Sequence, residues 1–156
     1  MDKAQLRRRL RMRLHAMNDD ERRQKNRAIH ENLIDSIDWH SIHRVSCYRS
    51  KANLDEVDTI AIITHIQDSW PDIELDLIEP NQQAILPQND YDLIIVPVLG
   101  FDDQCNRLGR GGGWYDRFLS TQDSAKKIGI AFTIQHVNLI PVEDYDVELD
   151  DIITEN

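Results

Sequence analysis

Between positions 107 and 116 the chain reads Arg-Leu-Gly-Arg-Gly-Gly-Gly-Trp-Tyr-Asp. Gly109, Gly111, Gly112 and Gly113 carry no Cβ and tolerate positive φ, so successive backbone N–H groups can turn toward one anion. Arg107 and Arg110 add guanidinium forks that match phosphate or carboxylate oxygens in pairs. Asp116 adds a hard oxygen ligand, the kind that magnesium takes when it accompanies nucleotide phosphates. A helix opening near Trp114 would direct its positive dipole end at the same anion. The chemistry implied is nucleotide binding. Glycines alone also describe a plain flexible turn, and it is the arginines, the Trp-Tyr pair and the aspartate that separate the two readings. The run is neither a Walker loop, which ends in Gly-Lys-Ser/Thr, nor a GxGxxG fingerprint.

A loop of this kind has to be held by a frame. Immediately before it, DLIIVPVL at 92–99 is a nearly continuous apolar run, the pattern of a parallel strand buried on both faces. RVSCY at 44–48, IELDLI at 73–78 and KKIGIAF at 126–132 read as further strands, with a last short one near 147–153. Leu6, Leu10 and Leu14 recur every four residues and predict a basic amphipathic helix over 3–16. Asn18 and Glu21 have capping-box spacing, and Ile29, Leu33 and Ile37 mark the inner face of a second helix. Asp55 is the expected N-cap of a third, carrying Val57, Ile60, Ile63 and Ile66. A fourth opens at Tyr115 to Leu119. Strands alternating with helices imply an α/β protein, a single three-layer α/β/α domain over 1–156 with a mostly parallel sheet, on which the basic helix packs.

Composition narrows the function classes. With 40% hydrophobic and 29% charged residues, the 156-residue chain belongs with ordinary globular proteins. No apolar run approaches the ~18 residues that a membrane span needs, and no apolar stretch follows the basic start as a secretory signal requires. Residues 1–27 hold ten of the 18 lysines and arginines, yet the net charge is −10, which argues against a nucleic-acid surface. Cys47 and Cys105 lack metal-ligand spacing and cannot make a disulfide framework, so a reducing cytoplasm is expected. The six histidines are scattered, which favours surface or structural roles.

The ordered pieces DLIIVPVLGFD, NRLGRGGGWYDRFL, IGIAF and the acidic tail from Asp146 to Glu155 resemble the 5-formyltetrahydrofolate cyclo-ligase (methenyltetrahydrofolate synthetase) family. The opening Lys3-Ala-Gln-Leu-Arg7 and the run Glu56-Val57-Asp58-Thr59 extend that likeness along nearly the whole chain. What the resemblance implies is an ATP- and magnesium-dependent ligase of one-carbon metabolism that cyclises 5-formyltetrahydrofolate to 5,10-methenyltetrahydrofolate. It further implies that Lys3, Arg7 and the stretch Arg107, Leu108, Gly109, Arg110, Gly111, Gly112, Gly113, Trp114 and Tyr115 bind ATP. By the same likeness Glu56 and Arg110 to Trp114 contact the folate, Arg107 and Arg110 serve catalysis, and Asp116 and Asp146 hold magnesium. Arg8, Arg9, Arg11 and Arg13 are left as a solvated face. The partners implied are small molecules, ATP and a reduced folate, met by a monomer.

Two departures stand out against the family pattern. Cys105 and Trp114 occupy positions where glycine and tyrosine are usual. More consequentially, Asp68-Ser-Trp-Pro-Asp72 runs almost directly into IELDLI, where the family has further strand and loop walling the folate pocket. The chain reads as a shortened member. Two other readings follow from that: a nucleotide-binding homologue with altered or lost folate chemistry, and a non-catalytic module docking through its basic helix.

Overall fold

The computed structural model describes residues 1–80 and 85–156. Helix α1 spans Lys3–Ala16 and starts at Asp2, whose side chain accepts from the Gln5 amide while the Gln5 side chain accepts from the Asp2 amide. That capping box lies one helix earlier than the sequence suggests. Helix α2, Asp19–Ser36, has only the first half of one, with Asn18 accepting from the Glu21 amide at 2.8 Å. Strand β1 (Arg44–Tyr48), helix α3 (Ile60–Ser69) and strand β2 (Glu74–Ile78) follow, then β3 (Leu93–Pro97). Two-residue strands β4 (Gly100–Phe101) and β5 (Arg107–Leu108) pair antiparallel. Helix α4 (Trp114–Ser120), β6 (Lys126–Ile130) and β7 (Asp151–Ile153) complete the chain.

The main sheet has order β2-β1-β3-β6-β7, every pair parallel. β3 sits at its centre, and Leu93 to Val96 are all buried, as a doubly covered strand requires. The chain leaves β1 through α3 toward one edge, then returns past β1 to β3 and leaves through α4 toward the other. Right-handed crossovers in opposite directions put α3 and α4 on opposite faces of the sheet. The reversal creates a crevice between the carboxyl ends of β1 and β3, where such sheets bind ligands. No helix among the described residues is long and apolar enough to cross a membrane.

Helix α1 packs on β4 and on the 3-10 turn Thr133–Gln135 through Leu6, Leu10 and Leu14, all buried. Gly100 makes that approach possible, because a Cβ there would lie 2.5 Å from Leu10 Cδ1. Arg13 is not part of a solvated face: it is half-buried, and its guanidinium donates to the carbonyls of Ile134 and His136. Arg8, Arg9 and Arg11 are exposed as expected.

The third helix differs most from expectation. It begins at Ile60, not after Asp55, and its buried residues are Ile62 and Ile66, with Ile60 65% exposed. Asp55 instead ends a 3-10 turn with φ 56°, in the left-handed region. The reason lies in the hydrogen bonds of the segment from 56 to 59. The Tyr48 hydroxyl donates to the Val57 carbonyl at 2.8 Å, and Ser50 and Thr59 exchange backbone-to-hydroxyl bonds at 3.1 Å. These contacts hold the stretch against the end of β1 and leave helix formation to the residues after it.

Candidate active site

The crevice opens into a cavity of about 410 Å³ lined from both strand ends. From the β1 side come Arg49, Lys51, Leu54 and Glu56; from the β3 side come Val98, Leu99 and the whole run Arg107 to Asp116. Helix α1 contributes Lys3 and Arg7, and the tail contributes Glu143, Tyr145 and Asp146. Every residue named from the sequence as a site residue therefore lines one space, although Lys3 and Asp146 stand 143 positions apart.

The glycine loop is tied at three points. Arg7 Nε donates to the Gly109 carbonyl at 2.9 Å, which fixes the loop to α1. Arg110 Nη2 donates to the Leu54 carbonyl at 2.7 Å, and its Nε lies 3.6 Å from Glu56, fixing the loop to the segment after β1. Arg107 Nε donates to the Pro97 carbonyl at 2.7 Å, with its guanidinium 5.3 Å from the Tyr115 ring centre. Gly111 and Gly113 take φ of 117° and 71°, which side-chain-bearing residues rarely adopt, and Gly113 is the N-cap of α4. A Cβ on Gly112 would meet nothing within 4 Å, so that position faces open space. Carbonyls of the loop are thus spent on arginines, while the amides of 109–113 donate to no acceptor among the described residues. Unpaired backbone donors beside cations are what an anion cradle requires.

Burial lowers the Arg107 pKa from its ordinary value, opposed by Asp116, Tyr115 and Asp146; burial likewise lowers that of Arg110, opposed chiefly by Glu56. Both remain cations at neutral pH, as guanidinium groups do in proteins. Burial pushes the Tyr115 phenol well above its ordinary pKa, so it is no base. Its hydroxyl is buried and unpartnered among the described residues. Glu56 is positioned by the Lys51 amide, which donates to its Oε2 at 3.0 Å. It is a loop residue, not the first acid of a helix.

Two carboxylates, Asp116 and Asp146, could hold a magnesium ion. Asp116 Oδ1 accepts from the Val147 amide at 3.1 Å, which sets Asp116 beside Asp146. Asp146 Oδ2 accepts from Lys3 Nζ at 2.6 Å and from the Glu143 amide at 2.9 Å. The other oxygen of each aspartate has no hydrogen bond among the described residues. Magnesium is held by one or two carboxylates together with phosphate oxygens and water, and the pair supplies that number. Among the described residues no group of three or more metal-ligating side chains forms a closed cage.

Sequence reasoning missed several lining residues. Arg49 and Lys51 follow the carboxyl end of β1, and the strand-end rule would have found them. Glu143 and Tyr145 carry no such signal, because nothing in a run of acids says which part of the tail crosses the cavity. Asp102 was also unread. Its carboxylate accepts from the amides of Gln104, Asn106 and Ile140 and from the Asn106 side chain, each at 3.1 Å, and so shapes the turn that leads into the loop.

A model described as the 5-formyltetrahydrofolate cyclo-ligase family matches residues 1–70 and 67–155. The two stretches overlap at 67–70, the end of α3, next to the place where the shortening was read. The 5-formyltetrahydrofolate cyclo-ligase of Haemophilus influenzae is 41% identical over 75 residues, which is 47% of this chain and 40% of that protein. The probable 5-formyltetrahydrofolate cyclo-ligase of Caenorhabditis elegans is 28% identical over 192 aligned positions, covering 98% of this chain and 92% of the relative. An alignment longer than the 156-residue chain contains positions that the chain lacks. Among solved structures, a 5,10-methenyltetrahydrofolate synthetase from Mycoplasma pneumoniae has TM-score 0.82 at 24% identity, covering 100% of both chains. One from Aquifex aeolicus has TM-score 0.79 at 25% identity, over 99% of this chain and 90% of that one. With a family match that runs from one end of the chain to the other, and a fold that agrees with solved synthetases, the chain belongs to the 5-formyltetrahydrofolate cyclo-ligase family.

Proposed function

We propose that this chain is an ATP- and magnesium-dependent 5-formyltetrahydrofolate cyclo-ligase that closes 5,10-methenyltetrahydrofolate and releases ADP and phosphate. One observation carries the reading: Lys3, Arg7, Glu56, the run 107–116 and Asp146, from four separate parts of the chain, converge on one cavity at the switch point of the sheet.

The chemistry needs positioning more than it needs a nucleophile on the protein. A formamide oxygen is a poor leaving group. Transfer of the terminal phosphoryl group of ATP makes an O–P bond to that oxygen as the bond to ADP breaks. The folate N10 then attacks the formyl carbon, the C–O bond breaks with departure of phosphate, and the N10 proton is lost. Loop amides and Arg107 hold the phosphates in line, and Arg110, stretched between Glu56 and the loop, neutralises charge where oxygen and phosphorus meet. Glu56 accepts hydrogen bonds from pterin N–H groups. Asp116 and Asp146 would hold magnesium, which would supply neutralisation of phosphate charge. Lys3, already paired with Asp146, stands ready for a phosphate oxygen. The enzyme so proposed works as a monomer in a reducing cytoplasm, where Cys47 and Cys105 remain thiols.

The test is to incubate pure protein with 5-formyltetrahydrofolate, ATP and magnesium and follow methenyl absorbance. Turnover supports the proposal, and no product at high enzyme concentration overturns it. The shortening around Trp70 favours one second reading, a homologue with an intact nucleotide half and altered folate chemistry. Calorimetric ATP binding without turnover would select it, and binding of neither ligand would leave a non-catalytic module.

A further inference from the structure

Tyr145 is one of the few large side chains left in solvent, at 63% exposed, yet it lines the cavity. Its neighbours all belong to the phosphate and metal side. The Lys3 ammonium lies 5.7 Å from its ring centre, within the range of a cation–π contact. Its hydroxyl stands beside the Glu143 carboxylate, in the field of Asp146 and Asp116. The ring is therefore held at one face and at its tip while the rest stays open. A ring fixed in that way loses little freedom when a flat ligand covers it.

A nucleotide places its base away from its phosphates by the length of a ribose. If the phosphates lie on the loop amides and near Lys3, the base must stand off toward the rim, on the side of α1 and the tail. Apolar, stackable surface is scarce there, since the neighbouring side chains Lys3, Glu143 and Asp146 are all charged. We infer that Tyr145 is the stacking platform for the nucleobase of the bound nucleotide, a binding residue that the loop and its glycines do not supply. The inference rests on the ATP reading of the site.

Comparing ADP with tripolyphosphate, which has the charges but no base, tests it. Isothermal titration at fixed magnesium would measure both on wild type, Tyr145→Ala and Tyr145→Phe. Base–aromatic stacking predicts that Tyr145→Ala weakens ADP about tenfold, leaves tripolyphosphate unchanged, and is restored by Tyr145→Phe. Equal loss for both ligands would show that the ring merely positions Lys3, and it would overturn the inference. So would unchanged ADP affinity, or failure of Phe to restore it. A raised KM for 5-formyltetrahydrofolate with ADP binding untouched would assign the ring to the folate instead. Wild-type protein that binds neither ligand would remove the ATP reading itself. Wild-type protein that binds ADP no more tightly than tripolyphosphate would remove only the platform.

Discussion

Arg110 joins both halves of the site. Its guanidinium reaches the Leu54 carbonyl and Glu56 on one side of the cavity, while its backbone belongs to the glycine loop on the other. Removing it leaves the loop without its link to Glu56 and, in the proposed reaction, leaves the reacting oxygen without its cation. Arg110→Ala should lower kcat by about 10²- to 10³-fold, the cost of losing one preorganised donor at a developing charge. The melting temperature should stay near that of wild type, because the side chain is half-exposed and its partners can be hydrated. Wild-type turnover in that variant would show that the loop does not stand at the reacting phosphate. The loop's residue types were legible from the sequence because an anion cradle needs glycines and cations close together. The partners they bond were not. The Arg7 bond to Gly109 and the Arg107 bond to Pro97 depend on which elements the fold sets side by side.

Among the elements, α1 is the one whose placement the ATP half depends on. It carries Lys3 and Arg7 to the cavity, and it sits there because Gly100 leaves room for Leu10. Gly100→Ala would place a methyl 2.5 Å from Leu10 Cδ1. Overpacking of that kind costs about 1–3 kcal/mol, and the displaced helix should also raise the KM for ATP more than the KM for the folate. Equal KM values to wild type, in a variant with a lowered melting temperature, would separate α1 from nucleotide binding. The helix itself was readable at its true bounds, as was β1, because leucines at i, i+4, i+8 and a short stretch such as RVSCY are local signals. The hairpin of β4 and β5 was not, since two-residue strands have no period to read. α3 was placed four residues too early because Asp55 has the side chain of an N-cap, whereas its surroundings give it a left-handed turn.

The same α3 carries a pH-sensitive contact with α2. His30 Nε2 and His65 Nδ1 lie 2.9 Å apart, a bond that requires at least one neutral ring, and His65 stacks on Trp70, which stacks on Trp39. Burial lowers the His30 pKa from 6.5, His65 lowers it further, and Glu31 opposes them. The folded state thus resists a proton that the unfolded chain accepts. Stability from this pair is complete above pH 6.5 and falls as pH drops through the lower folded value. The melting temperature of wild type should decline between pH 7 and pH 5 more steeply than that of His30→Gln. Parallel curves would show that the pair does not titrate with folding.

At the scale of the whole molecule, five parallel strands with a reversal between β1 and β3 leave one crevice, and the chemistry-bearing residues of a 156-residue chain gather in it. The α/β class and the mostly parallel sheet followed from the alternation of buried runs with amphipathic ones, whereas the strand order is seen only in the fold. The shortening was legible only against the family pattern, and the family match divides at 67–70, where α3 ends. What a single sequence could not show is that the tail from Glu143 crosses the cavity, because that contact is made across the length of the chain. The central claim is that this shortened chain still couples phosphoryl transfer to ring closure. Its most direct test measures phosphate release and methenyl absorbance in the same reaction with 5-formyltetrahydrofolate, ATP and magnesium. The account predicts that the two rise together in equal amounts and stop together when ATP is withheld. Phosphate released without ring closure, or ring closure without phosphate, would contradict it.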